Sequence, residues 1–183
     1  ATLLGITPDA DWQIVASNIP IEKFADGVTK EHAAYAGEKI KQADVNLLAY
    51  PLTEITNRDV IKKDLEYYEG RVGEGPAMTH AIFAILYARL GMGDKAYSAF
   101  KNGYTPNLLP PFGVIAETAG GTNPYFSTGA GGMLQAMLNG FGGLSITPNG
   151  IVQVKSALPA QWRSLTLTGI GVNKTTYTRK AGE

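Results

Sequence analysis

Glu117 is the one charged side chain in the 53 residues from Asn102 to Val154. The same stretch holds PPFG, ETAGGTNPYF and TGAGG, and nine of the chain's 22 glycines lie between Gly113 and Gly143. A surface loop of that length normally carries lysines and acids for solubility. With the charges gone and aromatics present, glycines let backbone approach backbone or ligand closely. A lone carboxylate there is either satisfied internally, capping a helix or tying a loop, or aimed at a neutral polar ligand such as a sugar. Two further groups carry usable chemistry. Lys41 and Gln42 open the segment IKQADVNLLAYPL, and Glu74 sits in the glycine-punctuated loop EGRVGEGP. Taken alone, Lys41 reads as a solvated helix-end lysine and Glu74 as an exposed loop acid.

Other reactive types are scarce. There is no cysteine, which removes disulfides, thiolate metal sites and thiol nucleophiles together. His32 and His80 are too few for a histidine-rich metal centre and read as structural or surface residues, so no metal or cofactor is required. Tyr125 and Phe126 are placed to stack on a sugar face or to fill a core. Asp26 and Glu31 are candidates for the mouth of a site. Sixteen basic residues balance sixteen acidic ones, which leaves no electrostatic footprint for nucleic acid. No apolar run approaches the ~18 residues of a membrane span. The compartment stays open.

These groups must be positioned by the elements around them. A short helix follows Pro8, capped by Asp9 or Asp11 and stopped by Pro20. Ile40–Leu52 reads as a helix that is apolar round most of its circumference, hence interior, with Lys41 and Gln42 in its first turn. Asn57–Tyr68 carries one apolar stripe, Val60, Ile61, Leu65 and Tyr68. Arg58, Lys62, Lys63, Asp64 and Glu66 fill its other side, so this is an outer helix. Pro76 opens an apolar helix from Ala77 to Leu90, ended by Gly91. Asp94 caps the next, again outer. Interior and outer helices in alternation suggest a two-layer α/α barrel, with an antiparallel bundle as the alternative. One more apolar helix is expected over Gly132–Phe141. From Leu144 the period changes to two, with a turn at Pro148–Gly150 and strands around Ile151–Val154, Leu165–Leu167 and Gly171–Lys180. The chain thus divides into a helical part, 1–143, and a β-rich part, 144–183. The latter has too few strands to close a sheet alone.

Three segments together resemble glycoside hydrolase family 65, which includes acid trehalases, kojibiose hydrolases and disaccharide phosphorylases. They are IKQADVNLLAYPL at 40–52, EYYEGRVGEGPAMTHAIFAILYARLG at 66–91 and GFGGLSITPNGIVQVKSALPAQW at 140–162. Family members are several times longer. The resemblance implies a mainly α fold: the last helices of an (α/α)6 barrel over 1–143, then the start of a C-terminal β-sheet domain at 144–183, with Trp162 packing one onto the other. It implies that Lys41 and Gln42 bind the sugar in the glycone subsite. The family's general acid is a glutamate in an earlier barrel segment, and no stretch here resembles its surroundings. The missing N-terminal part of the same enzyme is therefore an expected partner.

Family enzymes invert the anomeric carbon, using water or phosphate as the nucleophile. Phosphorylases carry a His/Ser-rich loop before the PAMTHAIF-type helix, because phosphate needs donors and positive charge. VGEGPAMT stands at that place here. A carboxylate there repels phosphate but can take a proton from water. Glu74 is the expected general base, and Glu117 is the runner-up base or a sugar- and water-contacting acid. The expected function is inverting hydrolysis of a small α-linked glucose disaccharide or oligosaccharide. The alternatives are a phosphorylase releasing glucose 1-phosphate and a non-catalytic carbohydrate-binding or structural fragment. The isolated chain is expected to be inactive.

Overall fold

The computed structural model describes residues 1–73 and 77–183, and among these every side chain except those of Thr2 and Ala77. Among the described residues the regular structure is five α-helices, three short 3-10 turns, one π-helical segment and three antiparallel strand pairs. The helices are α1 (Ala10–Asn18), α2 (Arg58–Glu69), α3 (Ala77–Arg89), α4 (Gly93–Asn102) and α5 (Ser127–Gln135). The strands are β1 (Leu108–Leu109) with β2 (Val114–Ile115), β3 (Leu144–Thr147) with β4 (Gly150–Gln153), and β5 (Ser164–Ile170) with β6 (Thr175–Lys180).

Helix α3 is the centre of the core. Ala81 and every residue from Phe83 to Ala88 are buried, which requires partners round almost the whole helix. Helices α2 and α4 flank it and each buries only one stripe: Leu65 and Tyr68 on the first, Ala96 and Ala99 on the second. Each large apolar side chain so buried stabilises the fold by about 1.5–3 kcal/mol. On a third side lies α5, which continues as a π-helical turn through Ala136–Phe141. Two glycines let it lie close. A Cβ at Gly140 would stand 3.2 Å from Ile85 Cα, and one at Gly132 would stand 2.9 Å from Ala81 Cβ.

Hydrogen bonds to charged side chains close the ends. Arg58 donates to the carbonyls of Arg89 and Leu90 at 3.0 and 2.9 Å, satisfying the exposed C-terminal acceptors of α3. Arg89 lies over the Tyr50 ring and donates to Asn139 O and Leu144 O, joining α3 to the start of β3. The β-rich tail is tied to the helices by Ala157 N donating to Ala88 O and Ser156 Oγ to Gly140 O, while within the tail buried Arg179 donates to Val154 O. Trp162 packs on Phe141 and Tyr97, with ring centroids 4.9 and 5.6 Å away. Residues 1–22, by contrast, bury no described side chain, and α1 carries Trp12, Ile14 and Val15 exposed.

Several expectations are corrected. Ile40–Leu52 is not a helix; only Asp44–Leu48 forms a 3-10 turn. Ile40 spends its backbone groups elsewhere, taking Arg71 O and accepting from Gly73 N in a parallel bridge to Val72. Asp64 is not on the solvent side of α2. It is 2% exposed and accepts from Thr29 N at 2.8 Å, because residues 23–29 fold back over that face. Asp94 does not cap α4; its carboxylate accepts from Ala160 N at 2.8 Å and anchors the tail instead. The helix expected from Gly132 starts at Ser127, and the β1–β2 hairpin around PPFG went unforeseen.

Candidate active site

The site is assembled from three backbone junctions. In the first, Gly73 N donates to Ile40 O at 2.7 Å, so the strand-like segment leading into Lys41 lies beside the one leading into Glu74. Glu74 itself, with Gly75 and Pro76, lies outside the described residues. In the second, the Glu31 carboxylate accepts from Asp44 N at 2.6 Å and Val45 N at 3.2 Å. This sets where the 3-10 turn starts and leaves Lys41 and Gln42 on the bend before it. Burial pushes the Glu31 carboxyl up, against the lowering effect of those two N–H groups. In the third, buried Asn107 donates to Ala116 O at 3.0 Å and Glu117 O at 3.1 Å, while Ala116 N donates to Asn107 O.

These junctions bring Lys41 Nζ to 3.3 Å from Glu117 Oε1. The pair is open to solvent, with the side chains 63% and 34% exposed, so it contributes at most about 1 kcal/mol to stability. Its use is chemical: a row of N–H donors stands next to an acceptor, the complement of a ring of hydroxyls. Gln42 lies alongside, its Nε2 3.6 Å from Met78 Sδ. A cavity of about 570 Å³ opens below it between the 3-10 turn, α3 and α5, lined among others by Gln42, Asp44, Thr79, Thr128 and Gln135. A second concavity, of about 340 Å³, is lined by Lys39, Ile40, Lys41, Gly73 and Thr118. Such volumes are in the ~300–1,000 Å³ range of small-molecule sites.

The structure therefore brings Lys41 and Glu117 together, while Gln42, next to Lys41 in the chain, lines the larger cavity. His80 is apart from them in character. It is half-buried against Phe83, and burial holds its pKa below the usual imidazole value. His32 is exposed and 3.7 Å from Glu38. Asn107 had been missed. A lone Asn after a proline carries no sequence signal for its role, which depends on the β1–β2 register. Among the described residues there is no cluster of three or more His, Asp or Glu able to hold a metal ion. Among them, too, no helix is long and apolar enough to cross a membrane.

An ammonium and a carboxylate thus stand together at a surface concavity beside a helical core. Residues 20–109 match the glycosyl hydrolase family 65 central catalytic domain, and the chain belongs to that family. It is 66% identical over 182 residues to a kojibiose hydrolase of Mucilaginibacter mallensis, covering 98% of this chain and 27% of that protein. It is 55% identical over 180 residues to a kojibiose hydrolase of Flavobacterium johnsoniae, covering 97% and 26%. A cell wall acid trehalase of Arthroderma benhamiae is 33% identical over 174 residues, 87% of this chain and 16% of that protein. The chain thus spans about a quarter of the two kojibiose hydrolases it matches.

Proposed function

We propose that this chain is the C-terminal portion of an inverting glycoside hydrolase that cleaves a small α-linked glucose disaccharide with water, kojibiose being the first candidate. The observation that carries the reading is the meeting of Lys41 with Glu117 at a concavity that Lys41 shares with Gly73, the covalent neighbour of Glu74. Lys41 and Gln42 grip the hydroxyls of the glucosyl unit that is attacked. Glu74, as general base, takes a proton from water as its oxygen bonds to the anomeric carbon. The glycosidic C–O bond breaks, and its oxygen takes a proton from a general acid supplied by a part of the enzyme outside this chain. Glu117 contacts sugar or water next to Lys41. Residues 1–143 form the last helices of an (α/α)6 barrel, 144–183 begin a β-sheet domain, and the isolated chain has no turnover.

The decisive experiment follows the anomer released by the complete enzyme from kojibiose, by NMR, with and without phosphate. Initial release of β-glucose with no phosphate dependence is expected. Initial α-glucose overturns inversion, and phosphate-dependent release of glucose 1-phosphate overturns hydrolysis.

A further inference from the structure

The uncharged stretch between β2 and α5 does more than present Glu117. A further concavity of about 330 Å³ lies on it, lined by Val114, Ile115, Tyr125, Phe126, Ser127 and Ala130, with Gly113 at its edge. None of the described lining residues is charged, so a neutral ligand loses nothing to an unpaired charge from them.

Its place relative to the site is set by two observations. Phe126 N donates to Ile115 O at 2.8 Å, closing residues 116–125 into a loop that starts and ends at β2. Glu117 belongs to that loop, two residues from Ile115, so their Cα atoms are at most about 7.6 Å apart. In addition, the first turns of α5 serve both hollows: Ser127 and Ala130 face this one, and Thr128 and Gly131 face the larger cavity under Gln42. The hollow therefore shares α5 with the cavity lined by Gln42, and its β2 wall lies two residues from Glu117 in the chain.

Tyr125 is the unusual residue in it. It is 78% exposed, and its backbone is left-handed, φ 62°, a conformation rare for a bulky side chain. A tyrosine ring offers an apolar face with a polar tip. A pyranose is its counterpart, with an apolar C–H face and a rim of hydroxyls. We infer that Tyr125, with Phe126 also lining the hollow, is the platform for the leaving sugar of the disaccharide, whose other glucosyl unit is held by Lys41 and Gln42. This inference rests on the α-glucosidase reading above.

The test compares kcat/KM on kojibiose with kcat/KM on α-glucosyl fluoride, which has no leaving sugar, in the complete enzyme. Tyr125→Gly removes the ring while suiting the left-handed backbone, and Tyr125→Phe keeps the ring. The kojibiose-to-fluoride ratio is expected to fall by about tenfold or more in Tyr125→Gly. In Tyr125→Phe it should stay within about threefold of the unaltered enzyme, the loss of at most one hydroxyl hydrogen bond. An unchanged ratio in Tyr125→Gly, whether both rates hold or both fall together, overturns the inference while leaving the α-glucosidase reading intact. An unaltered enzyme that cleaves neither substrate overturns that reading and this inference with it.

Discussion

Lys41 Nζ stands 3.3 Å from Glu117 Oε1, across 76 positions of chain. Neither residue is held by the pair, which is too exposed to matter for stability. Each is held by its backbone: Lys41 through the bridge of Ile40 to Val72, and Glu117 through the Asn107 amide. A donor and an acceptor positioned independently of each other are free to turn to a ligand.

That freedom gives a direct expectation for Lys41→Ala in the complete enzyme. Losing a charge-assisted hydrogen bond to a hydroxyl costs about 1.5–3 kcal/mol. At 1.36 kcal/mol per tenfold, kcat/KM should fall by roughly 10- to 150-fold. Steady-state kinetics on kojibiose read this out, and a change under twofold would remove Lys41 from the sugar-binding set.

Glu74 and Glu117 should separate by chemistry. Glu74→Gln removes the proposed base and should lower kcat by about 10²–10⁴-fold. Azide, which needs no base, should restore turnover and yield β-glucosyl azide. Glu117→Gln should act mainly through KM and be indifferent to azide. Rescue confined to the Glu117 variant would exchange the two roles.

Asp64 gives a pH-dependent stability. Burial holds its carboxyl above the ordinary carboxylate range, with the hydrogen bond from Thr29 N acting the other way. With the folded value above the unfolded one, its contribution is fully present below the unfolded pKa and is lost as pH rises through the folded one. Asp64→Asn keeps an acceptor for Thr29 N and drops the charge, so it should flatten this dependence. Urea unfolding of the purified chain between about pH 4 and 7 measures it, and parallel curves for the two proteins would refute it. Asp64→Ala should instead cost about 1–3 kcal/mol, by leaving a buried N–H unpaired.

Two glycines in the last helix should respond in opposite directions. Gly140→Ala puts a methyl 3.2 Å from Ile85 Cα and should destabilise by about 1–3 kcal/mol. Gly131→Ala meets nothing within 4 Å inside α5 and should stabilise by about 0.5–1 kcal/mol. Denaturation midpoints test both, and equal shifts would show that helix contact is not what selects glycine at 140.

Much of the fold was legible wherever burial follows period. The full-circumference apolar run of Ala77–Leu90, the stripes of α2 and α4, the Asp9 cap and the change to period two at Leu144 all appear as read. The failures share one cause. Ile40–Leu52, Asp64 and Asp94 were judged on local pattern, and in each case a distant backbone group claims the residue: Gly73 N, Thr29 N and Ala160 N. A hydrogen bond worth about 1 kcal/mol net outweighs the few tenths by which local propensities differ.

The site divides the same way. The amino-acid sequence alone determined which groups are available for chemistry: one carboxylate in an uncharged stretch, a Lys-Gln pair, a glutamate between glycines, and family membership through the motifs around them. Those are properties of residue type and order. Only the tertiary structure decided that Lys41 meets Glu117, that Asn107 positions the latter, and that Tyr125 lines an uncharged hollow on the stretch that carries Glu117. Each depends on backbone pairing between segments far apart in the chain, and such pairing is set by the packing of α3 and its neighbours as a whole, for which no local pattern codes.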